Sequence, residues 1–207
     1  MKDNQIQDYI TFGRTFENYK WYKPLFVAIV GIIAYVVIVS IISVIFMGVF
    51  GDQFGAKLTM GYEGINNFDA ANIFGFLTLI AFIPSLYIAS RIIKDRPFSS
   101  YSSSRGGWDW KIYLKSFLIS AAVIFILMML VGVIDGFEHG TNQLTAIAFI
   151  TFLIIIPLQS IAEEYLFRGF IMQTIGSWTN MPIVALIVPT LIFAALHPYN
   201  IFGMASI

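Results

Sequence analysis

From Pro24 to Phe50 the chain runs for 27 residues without one charged side chain. As an α-helix this stretch is about 40 Å long, enough to cross a hydrocarbon core about 30 Å thick with some tilt. It is too long for a secretory leader and lacks a small-residue cleavage site behind it. The rest of the chain agrees. Of 207 residues, 58% are hydrophobic and 12% charged. Soluble domains run near 45–50% apolar, glycine included, and near 25% charged. A water-soluble globule of this composition would struggle to cover its surface. The fold class expected is therefore all-α, a polytopic transmembrane helix bundle. The 12 basic and 12 acidic residues cancel, which removes bulk attraction to nucleic acid. With no cysteine, disulfides, thiolate catalysis and Cys-ligated metal sites are excluded.

About five spans are expected. The first is Pro24–Phe50 and the second is Ala70–Ile93, with Asp69 as N-cap and Pro84 as a kink. The third is Tyr113–Ile134. The fourth, Leu144–Ile175, would be about 48 Å long if continuous, yet it holds Glu163, Glu164 and Arg168. The fifth runs from Pro182 to about His197. Residues 1–23 form a tail and 24–207 the transmembrane domain.

Lysine and arginine set the orientation. The tail has Lys2, Arg14, Lys20 and Lys23, and the first loop has only Lys57. The second loop region has Arg91, Lys94, Arg96, Arg105, Lys111 and Lys115, and the third has none. This alternation puts the tail and the second loop in the cytoplasm of a multi-pass cell-membrane protein. Ile6, Tyr9, Ile10, Phe16 and Tyr19 include helical spacings, so the tail is expected either to lie on the inner membrane face or to serve as a plain tether. In the polar segment from Arg96 to Trp108, the arginines are expected to meet anionic lipid headgroups, with a solvated loop as the alternative. There is no P-loop, dinucleotide fingerprint or EF-hand, and no cofactor is expected.

Gln159-Ser-Ile-Ala-Glu163-Glu164-Tyr-Leu-Phe-Arg168-Gly169 carries the most chemistry. Charges near hydrocarbon are costly and normally face protein or water. Glu164 and Arg168 are four apart and suited to an ion pair. Glu163 points about 100° away and is left as the base candidate. The competing reading is a helix end, with the charges as an interfacial anchor. His197 lies in Phe193-Ala-Ala-Leu-His197-Pro-Tyr-Asn200. A turn over Gly176 to Met181 would put Glu163 and His197 about 20 and 22 Å from it along antiparallel helices, nearly level. A carboxylate and an imidazole at one depth can share a water: Glu163 takes its proton, while His197 orients it or returns a proton to a leaving amine. Zinc is the weaker idea, since there is no HExxH and the other histidine, His139, is expected outside.

Glu163-Glu164-x-x-x-Arg168 followed by Phe193-x-x-x-His197 resembles the first two motifs of the CPBP family, the type II CAAX prenyl endopeptidases and their bacterial bacteriocin-processing and immunity (Abi) relatives. The resemblance covers about Leu153 to His197. It implies a multi-helix, glutamate-dependent intramembrane endopeptidase, described in older usage as a metalloprotease, with a cavity open to the cytoplasm. In those terms Glu163 resembles the water-activating glutamate and His197 its partner. Glu164 and Arg168 resemble supporting members of the first motif, and Phe193 the aromatic of the second. Family members continue into a further motif, a histidine followed four positions later by asparagine. Nothing after His197 supplies it, so the expectation is that the protein continues beyond Ile207.

The function expected is hydrolysis of a peptide bond in a peptide or membrane-associated substrate. The alternative is a non-enzymatic immunity, scaffold or partner-stabilising membrane protein that keeps the fold. A transporter ranks last. Pro84, Pro157 and Pro189 would suit one, but no inverted repeat accompanies them.

Overall fold

The computed structural model describes residues 9–51, 70–103, 109–135 and 146–197, and every regular element among them is helical. Helix α1 spans Lys23–Phe50. Pro24 opens it where a missing N–H costs nothing. Gly51, at φ 64°, closes it by donating to the Met47 carbonyl. The second expected span is two pieces, α2 (Ala70–Ile80) and α3 (Phe82–Ile93). Pro84 has no N–H for the Ile80 carbonyl, and the break falls just upstream, at Ala81. Helical bonds continue across it, from Ala81 to Leu77 at 3.0 Å and from Ser85 to Ala81 at 3.1 Å. Ile73–Ile93 therefore still serves as one apolar crossing. Asp69 lies outside the described residues.

Helix α4 spans Trp110–Asp135 and starts three residues before the apolar run. The Asp109 carboxylate caps it by accepting from the amides of Lys111 and Ile112 at 3.0 and 3.2 Å. The long fourth segment changes winding along its length. It is α5 over Ala146–Glu164, π-helix over Tyr165–Met172 and α6 over Gln173–Thr179. The turn expected over Gly176 to Met181 is shorter than that. Only Asn180, in the left-handed conformation, and Met181 separate α6 from α7, Pro182–Leu196. Asparagine tolerates that conformation better than most residues.

Among the described residues, three stretches are long and apolar enough to cross a membrane: Lys23–Phe50, Ile73–Ile93 and Trp110–Ile134. The other two expected spans differ from that pattern. Helix α5 leaves α geometry after Glu164, and α7, with 15 residues, is about 22 Å long.

Helices α1 and α3 pack closely because small residues meet. Ala89 and Val27 are fully buried, and Gly31 faces the Ala89 methyl. Leu86, Tyr101, Tyr165 and Phe170 complete this core, so the start of the π-helix lies roughly one to two turns inside the ends of α1 and α3. Farther along, Tyr35 stacks on Phe82 at 4.5 Å and Phe46 meets Phe74 at 5.5 Å. Among the described residues, no side chain in the apolar stretch of α4 is buried against the rest of the protein.

The tail and the hairpin between α6 and α7 share one end of the bundle. The Arg14 Nε donates to the Ser177 carbonyl, the Trp178 indole to the Trp21 carbonyl at 2.7 Å, and Lys23 Nζ to the Lys94 carbonyl at 3.2 Å. Residues 9–22 do not form the amphipathic helix that their spacing allowed. They make a 3-10 turn at Phe12–Thr15 in which Phe12 and Gly13 are buried against protein. The reason is steric: Gly13 and Gly176 lack side chains where Arg96 and Ile10 come close. Residues 1–8, Ile6 included, lie outside the described part.

Candidate active site

The acidic pair sits at the C-terminal end of α5, where the two carboxylates part company. Glu164 turns outward and pairs with Arg168 at 3.0 Å, the i,i+4 contact expected from the spacing, with both side chains more than half exposed. Glu163 turns toward α7. Its Oε1 accepts from Gln159 Nε2 at 2.9 Å, one turn earlier on the same helix, and lies 3.7 Å from His197 Nε2. The carboxylate is largely covered, with 15% of the side chain exposed, and the imidazole less so, with 30%.

His197 follows the last residue of α7, and Phe193 fixes its ring twice. The Phe193 carbonyl lies 2.8 Å from Nδ1, and its ring stacks on the imidazole at 4.2 Å. A carbonyl only accepts, so this contact keeps hydrogen on Nδ1 and leaves Nε2 of the neutral ring as an acceptor. When the ring is neutral and the carboxylate ionised, two acceptors, Nε2 and Glu163 Oε1, face each other at 3.7 Å. That gap is too wide for a hydrogen bond and too narrow for a water directly between them. A water placed alongside, about 2.8 Å from each, can donate one hydrogen to each acceptor. Glu163 and His197 are two donors; among the described residues no three His, Cys, Asp or Glu side chains cluster as a metal site would require.

Phe193 is held in turn by Phe167 of the π-helix, edge to face at 5.0 Å. The opposite flank of the π-helix is covered by the loop after α3. Phe98 stacks on Tyr165 at 4.9 Å, and Tyr101 lies 6.2 Å from Phe170. Within that loop Arg96 departs from the sequence-based expectation. It meets neither headgroups nor solvent, because its guanidinium is buried 3.9 Å from the Tyr101 ring centre. It donates to the Gly169 carbonyl at 3.3 Å and to the Gln173 side-chain carbonyl, and pairs with Asp95 at 3.6 Å. Gln173 donates onward to the Ser100 carbonyl at 3.3 Å, and the Tyr101 hydroxyl to Asp95 at 2.9 Å. Arg105 lies outside the described residues. Burial raises Asp95 above the usual carboxylate range despite the neighbouring Arg96, and burial likewise pushes the Tyr101 hydroxyl well up. Sequence reasoning missed this cluster. A basic residue in a Ser- and Gly-rich loop looks like surface, and its buried partners lie 73 to 77 positions away.

Asn200, the second loop's Gly106 and Gly107, and His139 lie outside the described residues.

Comparison with known proteins adds two findings, while no solved structure matches. The chain is similar to the uncharacterized protein YyaK of Bacillus subtilis (strain 168), with 31% identity over 126 residues. That match covers 57% of this chain and 41% of the relative, so the chain spans about two fifths of the relative's length. The family model described as type II CAAX prenyl endopeptidase Rce1-like matches residues 142–207, a stretch that contains Glu163, Glu164, Arg168, Phe193 and His197. A CAAX-type protease domain is thus matched over this part of the chain.

Proposed function

We propose that this chain is an intramembrane endopeptidase that hydrolyses a peptide bond with water activated between Glu163 and His197. The observation that carries the reading is the facing carboxylate and imidazole, Glu163 Oε1 and His197 Nε2, 3.7 Å apart inside the matched stretch. Glu163 takes a proton as the water oxygen bonds to the scissile carbonyl carbon. When the C–N bond breaks, that proton passes to the leaving amine, directly or through His197, and the carboxylate is restored. Gln159 holds the reacting oxygen of Glu163, and Phe193 holds the imidazole. Glu164 and Arg168 support the helix end and do not enter the reaction.

The excess of Lys and Arg in the tail and second loop favours the cytoplasm for the end where tail and hairpin meet. Substrate would then reach the pair from the inner leaflet as a membrane-associated peptide. The test uses the full chain in lipid nanodiscs with a fluorescence-quenched peptide, supplied with and without a farnesylated cysteine three residues from its C-terminus. Glu163→Gln should lower cleavage by about 10²–10⁴-fold at unchanged expression, the usual worth of a general base. Cleavage of neither peptide by the unaltered chain would favour the non-enzymatic scaffold, whereas full turnover by the glutamine variant would remove Glu163 as the base.

A further inference from the structure

An eight-residue π-helix is unusual, since π geometry mostly appears as single-turn bulges within α-helices. The same residues in α winding would turn farther per residue, swinging the far end round by on the order of a third of a turn. Phe167, two residues past the start of the π-helix, would turn by a smaller angle, enough to shift the edge-to-face contact it now makes with Phe193. Something must hold the wider winding, and Arg96, outside both motifs, grips it at two points. One guanidinium nitrogen binds the Gly169 carbonyl within the π-helix, and another binds the Gln173 side chain one residue past its end. Burying a guanidinium is expensive, and among the described residues its Nε and the Asp95 Oδ1 still lack hydrogen-bond partners. A group kept at that cost is a candidate for function.

We infer that Arg96 is a positioning residue: by gripping Gly169 and Gln173 it keeps residues 165–172 in π winding, which seats Phe167 on Phe193 and so sets His197 against Glu163. The consequence for turnover rests on the endopeptidase reading; the consequence for geometry does not.

The sequence holds only two histidines, His139 and His197, so histidine-labelled chain in nanodiscs gives two sets of ring signals, assigned with His139→Gln. Glu163→Gln should move the His197 ring signals in the unaltered background. In Arg96→Met that response should fall by at least half, along with the shielding that Phe193 imposes on the ring. Arg96→Lys should not restore it, because an ammonium cannot hold both partners in a planar fork. With the farnesylated peptide, Arg96→Met should lower kcat at least tenfold and leave KM within twofold. If Arg96→Met does not fold, Gln173→Leu, which removes one grip, decides the matter by a smaller loss in the same direction. Unaltered His197 signals in Arg96→Met with a full response to Glu163→Gln, or complete rescue by lysine, would overturn the inference. Full turnover by Glu163→Gln, with the His197 response still lost in Arg96→Met, would remove Glu163 as the base and leave the positioning role of Arg96 standing.

Discussion

At Gly169 a single missing methyl group decides a local fold. A Cβ there would run into the Tyr101 carbonyl oxygen, so the loop after α3 can lie against the π-helix only over a glycine. Alanine is the better helix former by about 1 kcal/mol, but here it must push backbone away. Gly169→Ala should therefore destabilise the protein by about 1–3 kcal/mol, the usual cost of overpacking, read as a lower thermal midpoint in nanodiscs. Tyr101 gives a second test at this scale. Its hydroxyl is raised above the usual 10 by burial and by the Asp95 charge, with Arg96 opposing. A raised value means that the neutral form is favoured in the fold. Its stabilising contribution is thus complete below about pH 10 and lost as pH climbs through the higher folded value. In an alkaline titration followed by tyrosinate absorbance, Tyr101→Phe should remove one tyrosine's amplitude from the late phase. An unchanged late phase would show that Tyr101 ionises like an exposed phenol. Residue identity alone separated Glu163 from Glu164, because adjacent helical positions point about 100° apart. It could not tell that Gln159 would hold the Glu163 carboxylate, or that Phe193, already marked by its motif, would hold the imidazole, because neither contact is written in the helix pattern.

At the scale of elements, apolar run length placed α1 and α4 to within a few residues, because an uncharged run of that length leaves a chain few alternatives to a helix in lipid. Pro84 announced the α2–α3 break, since an absent N–H is a covalent fact. The π-helix was not announced by anything local. Tyr165 to Met172 has no proline and would serve as an α-helix. The wider winding depends on Arg96, Phe98 and Tyr101 arriving from another loop. Arg96 was misread for the same reason: within its own segment it is a polar residue among serines, and only the opposite wall makes it a buried one.

At the scale of the whole molecule, the described tail from Tyr9 closes on the α6–α7 hairpin. Gly176 allows that contact, for a Cβ there would strike the Ile10 backbone. Gly176→Val should lift the tail and expose Arg14, whose Nε now binds the Ser177 carbonyl. Trypsin should then cut after Arg14 several-fold faster than in the unaltered chain, read by mass spectrometry of timed digests. An unchanged rate would mean that the tail is anchored elsewhere, for example through the Trp178 indole on Trp21.

The sequence by itself determined an all-helical membrane class, three of its five expected crossings among the described residues, and the two motifs inside the stretch, residues 142–207, that a protease family model matches. These rest on local quantities: the apolarity of a run, the fixed turn angle of a helix, and the spacing of charges along it. Tertiary structure alone decided how Glu163 meets His197, how the π-helix is held, and that Arg96 is interior. Each of these depends on contacts between residues tens of positions apart. Such contacts form only when two surfaces exclude lipid or water together, and no single segment carries a record of its partner.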